Sequence, residues 1–311
     1  TMMRKINFLL LGYSQISKKR IIKVLIKNKI TFSVASKSNK KIIKGAENQF
    51  SNYDYALKNS GANLVYISLP NSLHYYWAKK ALLLGYHVII DKPICYKISE
   101  TRELINLAKK KRKLLSEAIF YNYHNQVNKA ISYAGGIHKI NHIQVNFIIP
   151  KPKKNSLLVS KKFKGGVIMD MGPYAASIHR ISFDNKILSK KIIVEKNSVN
   201  LPVSFYLLFK YPKKIYTGYF KFGGTYKNQV IFFTKDKTIS INRVFSPPSD
   251  SPLSIKVSKN NITKSHLIKK DDCFENYFLE VRNKLYKNDY SYYFKQIEKD
   301  HLFRDKINKE V

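Results

Sequence analysis

The chain has 311 residues, 44% of them hydrophobic, which is enough to bury a core and to form two domains. It has two cysteines, too few for a disulfide framework, and no apolar run of the ~18 residues that a membrane span needs, which favours a cytoplasmic protein. The formal charge of +37 would suit a nucleic-acid partner. However, the lysines are spread along the whole chain without a DNA- or RNA-binding motif, so we expect no specific nucleic-acid partner and no membrane partner.

The first predicted unit is a strand, a tight turn and a helix. An apolar run at residues 6–11 precedes Gly12, and apolar residues then recur at helical spacing from 21 to 26. In this context a glycine-rich turn holds the pyrophosphate of a dinucleotide. Ser14 and Ser17 stand where that fingerprint has its second and third small residues, so the turn alone would also fit an ordinary strand-to-helix loop.

The second strand, Thr31–Ala35, is followed by Ser36 and Lys37, and no acidic residue occurs from 33 to 44. In NAD-binding Rossmann folds an acid near this point holds the ribose 2′-hydroxyl, whereas NADP-binding folds place a cation near the 2′-phosphate. The absence of the acid predicts NADP(H) in preference to NAD(H).

The most informative stretch contains two further strands joined by a helix. Continuous apolar runs at 64–67 and 87–90 are typical of parallel strands buried on both faces, and Gly85 suits the end of the helix between them. Lys92 directly follows the second of these strands. Because ligands bind outside the carboxyl ends of strands in such sheets, Lys92 is a candidate catalytic residue.

Alternation of strand and helix continues to about residue 120. A helix from Ser99 to Lys111, with Ser99 as its N-cap, and a strand at 114–118 complete the pattern, which predicts a parallel doubly wound sheet. We therefore place a Rossmann domain at 1–120.

The second half, 121–311, has consecutive strands without intervening helices from about 190 to 258, which predicts an α+β domain with a large, mostly antiparallel sheet. Its amphipathic segment 273–286 resembles a closing helix, which is expected to pack back on the first domain. We expect this half to be the substrate-binding domain. An open apolar sheet face must be covered, so we also expect this half to form a homodimer or homotetramer. The predicted strands are 140–149, 201–210, 215–221, 229–234 and 238–243.

Three segments resemble the Gfo/Idh/MocA family of oxidoreductases, which includes glucose–fructose oxidoreductase and inositol dehydrogenase. The segments are Leu69-Pro70-Asn71 with His74; Gly85, His87-Val88 and Asp91-Lys92-Pro93; and Gly165-Gly166 with Asp170, Gly172 and Tyr174. Leu69 replaces the family's usual threonine and Asp91 its usual glutamate.

The resemblance implies hydride transfer between a nicotinamide and a carbon of a sugar or nucleotide sugar. It implies that Lys92 polarises the carbonyl, that Tyr174 is the general acid and that Asp170 holds a sugar hydroxyl, with no metal. Segments 222–228 and 243–248 resemble members that act in sugar-nucleotide biosynthesis. The residues expected to bind the cofactor are Gly12, Tyr13, Ser14, Gln15, Ile16, Ser36, Lys37, Leu69, Pro70, Asn71, His74, Asp91 and Lys92.

An inactive regulatory protein of the same fold, binding a nucleotide or sugar without turnover, is the alternative. Ser14 and Ser17, which replace small residues of the dinucleotide fingerprint, keep this alternative open. Asn122 and Asn125, which depart from the family's R-x-H-P segment, also keep it open. In that same segment, Tyr121 or His124 is expected to line the substrate site.

Overall fold

The computed structural model describes residues 6–39, 41–183 and 186–311, and it divides them into two compact units. The first unit contains the described residues up to Ala118 and Tyr277–Glu298, and the second contains Ile119–Asn276 and Lys299–Val311. The boundary predicted at residue 120 lies beside the first of these divisions. The substrate-binding and oligomerisation roles given to the second domain stay predictions.

The first unit is built on a six-stranded parallel sheet in the order β3-β2-β1-β4-β5-β6. Nearly all residues of β1 and all residues of β4 are buried, which explains their uninterrupted apolar sequences. The chain changes direction across the sheet between β1 and β4, so the carboxyl ends of these strands flank the switch point where such folds bind ligands. The strands are β1 Asn7–Leu11, β2 Thr31–Ala35, β3 Gln49–Phe50, β4 Leu64–Ile67, β5 His87–Asp91 and β6 Leu115–Ala118.

The helices that connect these strands are α1 Ile22–Lys27, α2 Tyr53–Asn59, α3 His74–Leu83 and α4 Ile98–Lys111. A π-helical turn, Ser17–Ile21, precedes α1. The prediction of Ser99 as the N-cap of α4 was wrong, because the helix already begins at Ile98 and Lys97 is its N-cap. The Lys97 N–H donates to the Glu100 carboxylate at 3.1 Å, which anchors the first turn one residue earlier than the serine suggested.

The second unit has an eight-stranded sheet in the order β14-β13-β12-β11-β7-β10-β9-β8, in which only the β7–β10 pair is parallel. Helices α5 Asn125–Tyr133 and α6 Val167–Arg180 lie on this sheet. The predicted fold class is confirmed. The strands are β7 His142–Ile149, β8 Ser189–Lys196, β9 Pro202–Lys210, β10 Ile215–Phe222, β11 Lys227–Phe233, β12 Thr238–Asn242, β13 Leu253–Lys259 and β14 Ile262–Ile268.

Two long helices close the chain, α7 Cys273–Lys287 and α8 Ser291–Asn308, and each is divided between the units. The predicted closing helix corresponds to α7, whereas α8 was not predicted. Its buried face mixes Phe294 and Ile297 with Asp300, His301 and Arg304, so no apolar stripe reveals it in the sequence.

Candidate active site

Gly12 brings the turn after β1 against the loop after β4. Its φ is +100°, and a Cβ at this position would lie 2.1 Å from the carbonyl oxygen of Ser68. The Gly12 N–H donates to the Ala35 carbonyl at 2.9 Å, and the Ser68 N–H donates to the Leu11 carbonyl at 2.8 Å. Only glycine fits here, which agrees with its predicted place in the tight turn.

Three serine hydroxyls and one carboxylate form a connected series, which we call the hydroxyl chain: Ser17, Ser14, Ser68 and Asp91. The Ser14 Oγ lies 3.2 Å from the Ser17 Oγ and 2.7 Å from the Ser68 Oγ, and it also accepts the Ser17 N–H at 3.2 Å. The Ser68 hydroxyl then donates to the Asp91 carboxylate. Ser14 and Ser17 are therefore hydrogen-bonding residues here, a role that their reading as small replacements for glycine did not anticipate.

Asp91 ends β5 directly before Lys92, and its second oxygen accepts the hydroxyl of Tyr66. Burial raises the pKa of the Asp91 carboxyl, while the hydrogen bonds from Ser68 and Tyr66 and the positive charges of His74 and Lys92 oppose that rise. Burial thus disfavours the charged form of Asp91, whereas two hydrogen-bond donors and two neighbouring cations favour it. Lys92 itself is partly buried at the same carboxyl edge of the sheet.

His74 is buried at the start of α3, and both of its ring nitrogens face backbone carbonyls. Nδ1 lies 2.8 Å from the Pro93 oxygen and Nε2 lies 2.8 Å from the Leu69 oxygen. The neighbouring Pro70 and Asn71 are partly buried in the loop after β4. Cofactor binding by this segment stays a prediction, but the His74 ring is occupied by the protein's own backbone.

Near the end of β2, Ser36 and Lys37 occupy the positions predicted to distinguish the two cofactors. The Ser36 Oγ accepts the Asn39 N–H at 3.2 Å. Lys37 is exposed, and its ammonium lies 5.2 Å from the centroid of the Tyr53 ring. A cation therefore stands at this edge with its charge accessible to solvent.

Around the turn after β1, Tyr13 lies under the ammonium of Lys18, with 4.5 Å between the charge and the ring centroid. Gln15 is exposed and Ile16 is half-buried. Gly12 is buried and Ser14 is partly buried, and cofactor binding by this turn stays a prediction.

In the second unit, Asp170 and Tyr174 lie on α6 and both remain partly exposed. The helix begins at Val167, so Asp170 lies in its first turn and donates its N–H to the Gly166 carbonyl at 3.1 Å. Residues four apart share a face, which places these two side chains side by side on the helix.

The Tyr174 ring belongs to an aromatic cluster with Tyr121, Phe147 and Phe245. Its centroid lies 5.9 Å from Tyr121, 5.6 Å from Phe147 and 5.0 Å from Phe245. Sequence analysis had not identified Phe147 or Phe245. Up to Phe147, every second residue of β7 is buried, and Phe147 is one of them, so its position weakly indicated a core residue. Phe245 lies in a loop, where no sequence pattern indicated its place.

Tyr121 is linked to the backbone of Tyr174 by the hydroxyl of Ser177. The Tyr121 hydroxyl lies 2.7 Å from the Ser177 Oγ, which in turn donates to the Tyr174 carbonyl at 3.2 Å. Burial raises the pKa of the Tyr121 phenol well above its usual range, so this residue stays neutral. His124, the other residue expected to line the site, is buried, and its Nδ1 accepts the Gln126 N–H at 3.1 Å.

The buried side chain of Asn228 links the segments 222–228 and 243–248. Its Nδ2 donates to the Tyr226 hydroxyl at 3.1 Å and to the Ser246 Oγ at 3.0 Å, while its Oδ1 accepts the Phe245 N–H at 3.1 Å. This arrangement holds Phe245 against Tyr174. The segments that resemble sugar-nucleotide enzymes thus adjoin the candidate general acid.

A buried ion pair anchors the other end of α6. The Arg180 guanidinium donates to Asp300 through two bonds of 2.7 and 3.1 Å. At Gly172 an added Cβ would lie 3.0 Å from the Cγ of Arg304, so the stem of this buried arginine packs directly on the helix backbone. The helix that carries Asp170 and Tyr174 is therefore fixed by α8.

Within the described ranges, no helix has the length and apolar character needed to cross a membrane. Among the same residues, no group of three or more histidine, cysteine, aspartate or glutamate side chains is placed to hold a metal ion.

Comparison with known proteins gives matches over both parts of the chain. Residues 6–119 match the model of the Gfo/Idh/MocA family, described as an oxidoreductase family with an NAD-binding Rossmann fold. A dTDP-3,4-didehydro-2,6-dideoxy-alpha-D-glucose 3-reductase from Streptomyces violaceoruber is 22% identical over 77% of this chain and 73% of its own length. A D-xylose 1-dehydrogenase (NADP(+)) from Haloferax volcanii is 28% identical over 44% of this chain and 43% of its own length.

The crystal structure of a 3-ketoreductase from Actinomadura kijaniata, in complex with NADP and TDP-benzene, superposes with a TM-score of 0.90. The match covers 98% of this chain and 97% of that protein at 18% identity, so it shows the shared fold of both units. The predicted resemblance to the Gfo/Idh/MocA family and the prediction of an oxidoreductase are confirmed: residues 6–119 match the model of that oxidoreductase family with its NAD-binding Rossmann fold.

Proposed function

We propose that this protein is an NADP(H)-dependent ketoreductase that interconverts a keto group and a hydroxyl group on a nucleotide-linked sugar. The observation that carries the proposal lies in the first unit. There, the Gly12 turn approaches the Ser68 backbone at the switch point of the sheet, and Lys92 follows the neighbouring strand at the same edge. A dinucleotide turn and a cationic side chain at one sheet edge suit hydride chemistry on a carbonyl.

The residues fit NADPH at the turn after β1 and at the end of β2. Gly12 allows the tight turn after β1, and the residues that follow it lead into a helical segment whose N-terminal N–H groups would suit a pyrophosphate. Lys37 offers an accessible charge to a 2′-phosphate, and no acidic residue occurs from 33 to 44. The NADP in the names of two similar proteins supports the same preference.

When bound, NADPH supplies the hydride, and the protein supplies polarisation and a proton. Lys92 polarises the substrate carbonyl with its ammonium. Tyr174 donates the phenol proton to the forming alkoxide, and Asp170, four residues earlier on α6, accepts a hydrogen bond from a sugar hydroxyl. The aromatic cluster around Tyr174 limits the freedom of its ring, so the hydroxyl is presented in one direction.

A nucleotide-linked sugar is favoured over a free sugar because Asn228 holds the two sugar-nucleotide-like segments against Tyr174. Two of the similar proteins carry a dTDP-sugar or TDP-benzene in their names, and they support this choice. The diffuse positive charge would also draw a doubly charged diphosphate to the protein.

The experiment that tests the proposal is a fluorescence titration with NADPH and NADH, followed by a screen of keto-sugar nucleotides for NADPH oxidation. We expect tighter binding of NADPH, and Lys37→Ala should weaken NADPH binding without affecting NADH binding. Lys23→Ala, which removes an exposed lysine from α1, is the matched control for loss of charge alone. Equal binding of both cofactors by the wild-type protein would contradict the cofactor assignment.

Lys92→Ala is the control for the screen of keto-sugar nucleotides. This variant should still bind NADPH but should lose turnover with every substrate that the wild-type protein reduces. Turnover retained in Lys92→Ala would refute the catalytic assignment.

We also propose a homodimer or homotetramer in the cytoplasm, built on the open face of the eight-stranded sheet. Ile193, Tyr206 and Tyr219 lie in register on adjacent strands, and Ile193 and Tyr206 remain 47% and 40% exposed. A row of apolar side chains on a sheet face suits a second copy of the same face. Light scattering should give an oligomer for the wild-type protein and for Tyr133→Glu, an exposed tyrosine on α5, and a smaller species for Tyr206→Glu.

A further inference from the structure

The two contacts of His74 determine its protonation. A neutral imidazole has one nitrogen that donates and one that accepts, whereas a backbone carbonyl only accepts. His74 has a carbonyl oxygen at 2.8 Å from each nitrogen, those of Pro93 and Leu69, and the residue is 0% exposed. A neutral ring would satisfy one carbonyl and would direct a nitrogen lone pair at the other.

A buried imidazolium needs an opposing charge, and the carboxyl edge of the sheet provides it. The positive charge of His74 lowers the pKa of Asp91, which places the carboxylate within electrostatic range of the ring. Lys92 also acts on Asp91, and Glu117, whose carboxylate accepts the Ile94 N–H at 2.9 Å, is a second acid on the neighbouring strand.

We propose that His74 is a permanent imidazolium and acts as a positioning residue for Lys92. Its two N–H groups tie the Leu69 carbonyl, in the loop after β4, to the Pro93 carbonyl, directly after Lys92. Hydrogen bonds from a charged donor are stronger than those from a neutral one, so the ring clamps the two loops that carry the predicted cofactor and catalytic residues. The part of the inference that concerns Lys92 rests on the proposed function.

His124 provides an internal contrast in the same chain. It is also buried, but its Nδ1 accepts the Gln126 N–H and therefore carries no proton. Burial lowers the pKa of His124 as well, so this ring is neutral at neutral pH. The chain thus contains two buried histidines of opposite protonation state.

The experiment is long-range proton–nitrogen NMR on the ligand-free full chain with nitrogen-15-labelled histidine, recorded at pH 8. The His74 and His124 signals are assigned with His74→Gln and His124→Gln. We expect both nitrogens of His74 to be protonated at pH 8 and the His124 ring to be neutral. A neutral tautomer of His74 at this pH would overturn the proposal.

Asp91→Asn tests the opposing charge and also assigns the signal if His74→Gln does not fold. Without the carboxylate, the His74 signal should move to that of a neutral ring by pH 8, while the His124 signal stays unchanged. A His74 ring that remains doubly protonated in Asp91→Asn would overturn the role of Asp91. Because the sample holds no cofactor and no substrate, neither result depends on the proposed ketoreductase activity.

The positioning role is tested with NADPH as the probe. In His74→Gln, the Kd for NADPH should stay within about threefold of the wild-type value, while turnover should fall by about 10²-fold because Lys92 is displaced. Loss of NADPH affinity with an unchanged kcat would overturn the positioning role and would assign His74 to direct cofactor binding. A wild-type protein that turns over no sugar nucleotide would refute the proposed function but would leave the NMR result standing.

Discussion

Replacing Ser68 with alanine tests how Asp91 is kept as a carboxylate beside Lys92. Ser68 and Tyr66 are the two hydroxyl donors to this carboxylate, so the substitution removes one of two charge-assisted hydrogen bonds. Such a bond contributes about 1.5–3 kcal/mol, and its loss should raise the pKa of Asp91 further.

The sign of the pH dependence follows from that shift. Burial already raises the pKa of Asp91 above its unfolded value, so the folded protein takes up a proton first as the pH falls. The free energy of unfolding therefore increases as the pH falls through the folded pKa. In Ser68→Ala this increase should begin at higher pH, and the cost of the substitution should be about 2 kcal/mol at neutral pH and smaller once Asp91 is protonated.

Urea denaturation of the ligand-free protein, measured from pH 4 to pH 8, provides the assay. Ser33→Ala is the matched control, because Ser33 is a fully buried serine on β2 whose hydroxyl has no hydrogen-bond partner in the described part of the chain. Its cost should not vary with pH. A Ser68→Ala cost that is the same at pH 4 and pH 8 would refute the idea that the hydroxyl chain stabilises the ionised form of Asp91.

Three further outcomes are expected. Gly12→Ala should abolish NADPH binding in a fluorescence titration, because its Cβ would collide with the Ser68 carbonyl and push the turn open; normal affinity would contradict the close approach. Asp300→Asn should lower the free energy of unfolding by about 3–5 kcal/mol in urea, since it leaves the Arg180 charge without its carboxylate; a change below 1 kcal/mol would show that solvent replaces the pair. Tyr174→Phe should reduce kcat by about 10²–10⁴-fold without changing NADPH affinity, and full kcat would remove Tyr174 from the role of general acid.

Local patterns in the sequence were sufficient to predict the parallel sheet of the first unit. The strands β1, β4 and β5 are short apolar runs bounded by turn residues, and those properties depend on near neighbours in the chain. The same reasoning did not find β13 and β14. β14 is the edge strand of the sheet and most of its residues are exposed, so it has little apolar pattern. β13 lies one strand further in and does alternate, with Leu253, Ile255 and Val257 between polar residues, so its period was present in the sequence and was missed.

The contacts that organise the candidate site could not be predicted from local patterns, because they join distant residues. Ser14 and Ser68 are 54 positions apart, and Asn228 bonds residues up to 18 positions away. The motifs identified Lys92 and His74 as important, but they gave no indication that His74 faces two carbonyls. That geometry depends on how two loops at neighbouring strand ends lie against each other.

The division of the last two helices between the units has a consequence for biosynthesis. Tyr277 donates to the Ser116 hydroxyl at 2.8 Å, and Phe278 packs edge-on against Phe8 at 5.5 Å, so residues near the end of the chain complete the Rossmann sheet at its beginning. A ribosome synthesises the whole eight-stranded sheet before it reaches these residues. The first unit therefore cannot finish folding during translation of its own strands, and a fragment ending at residue 118 would expose the surface that α7 covers.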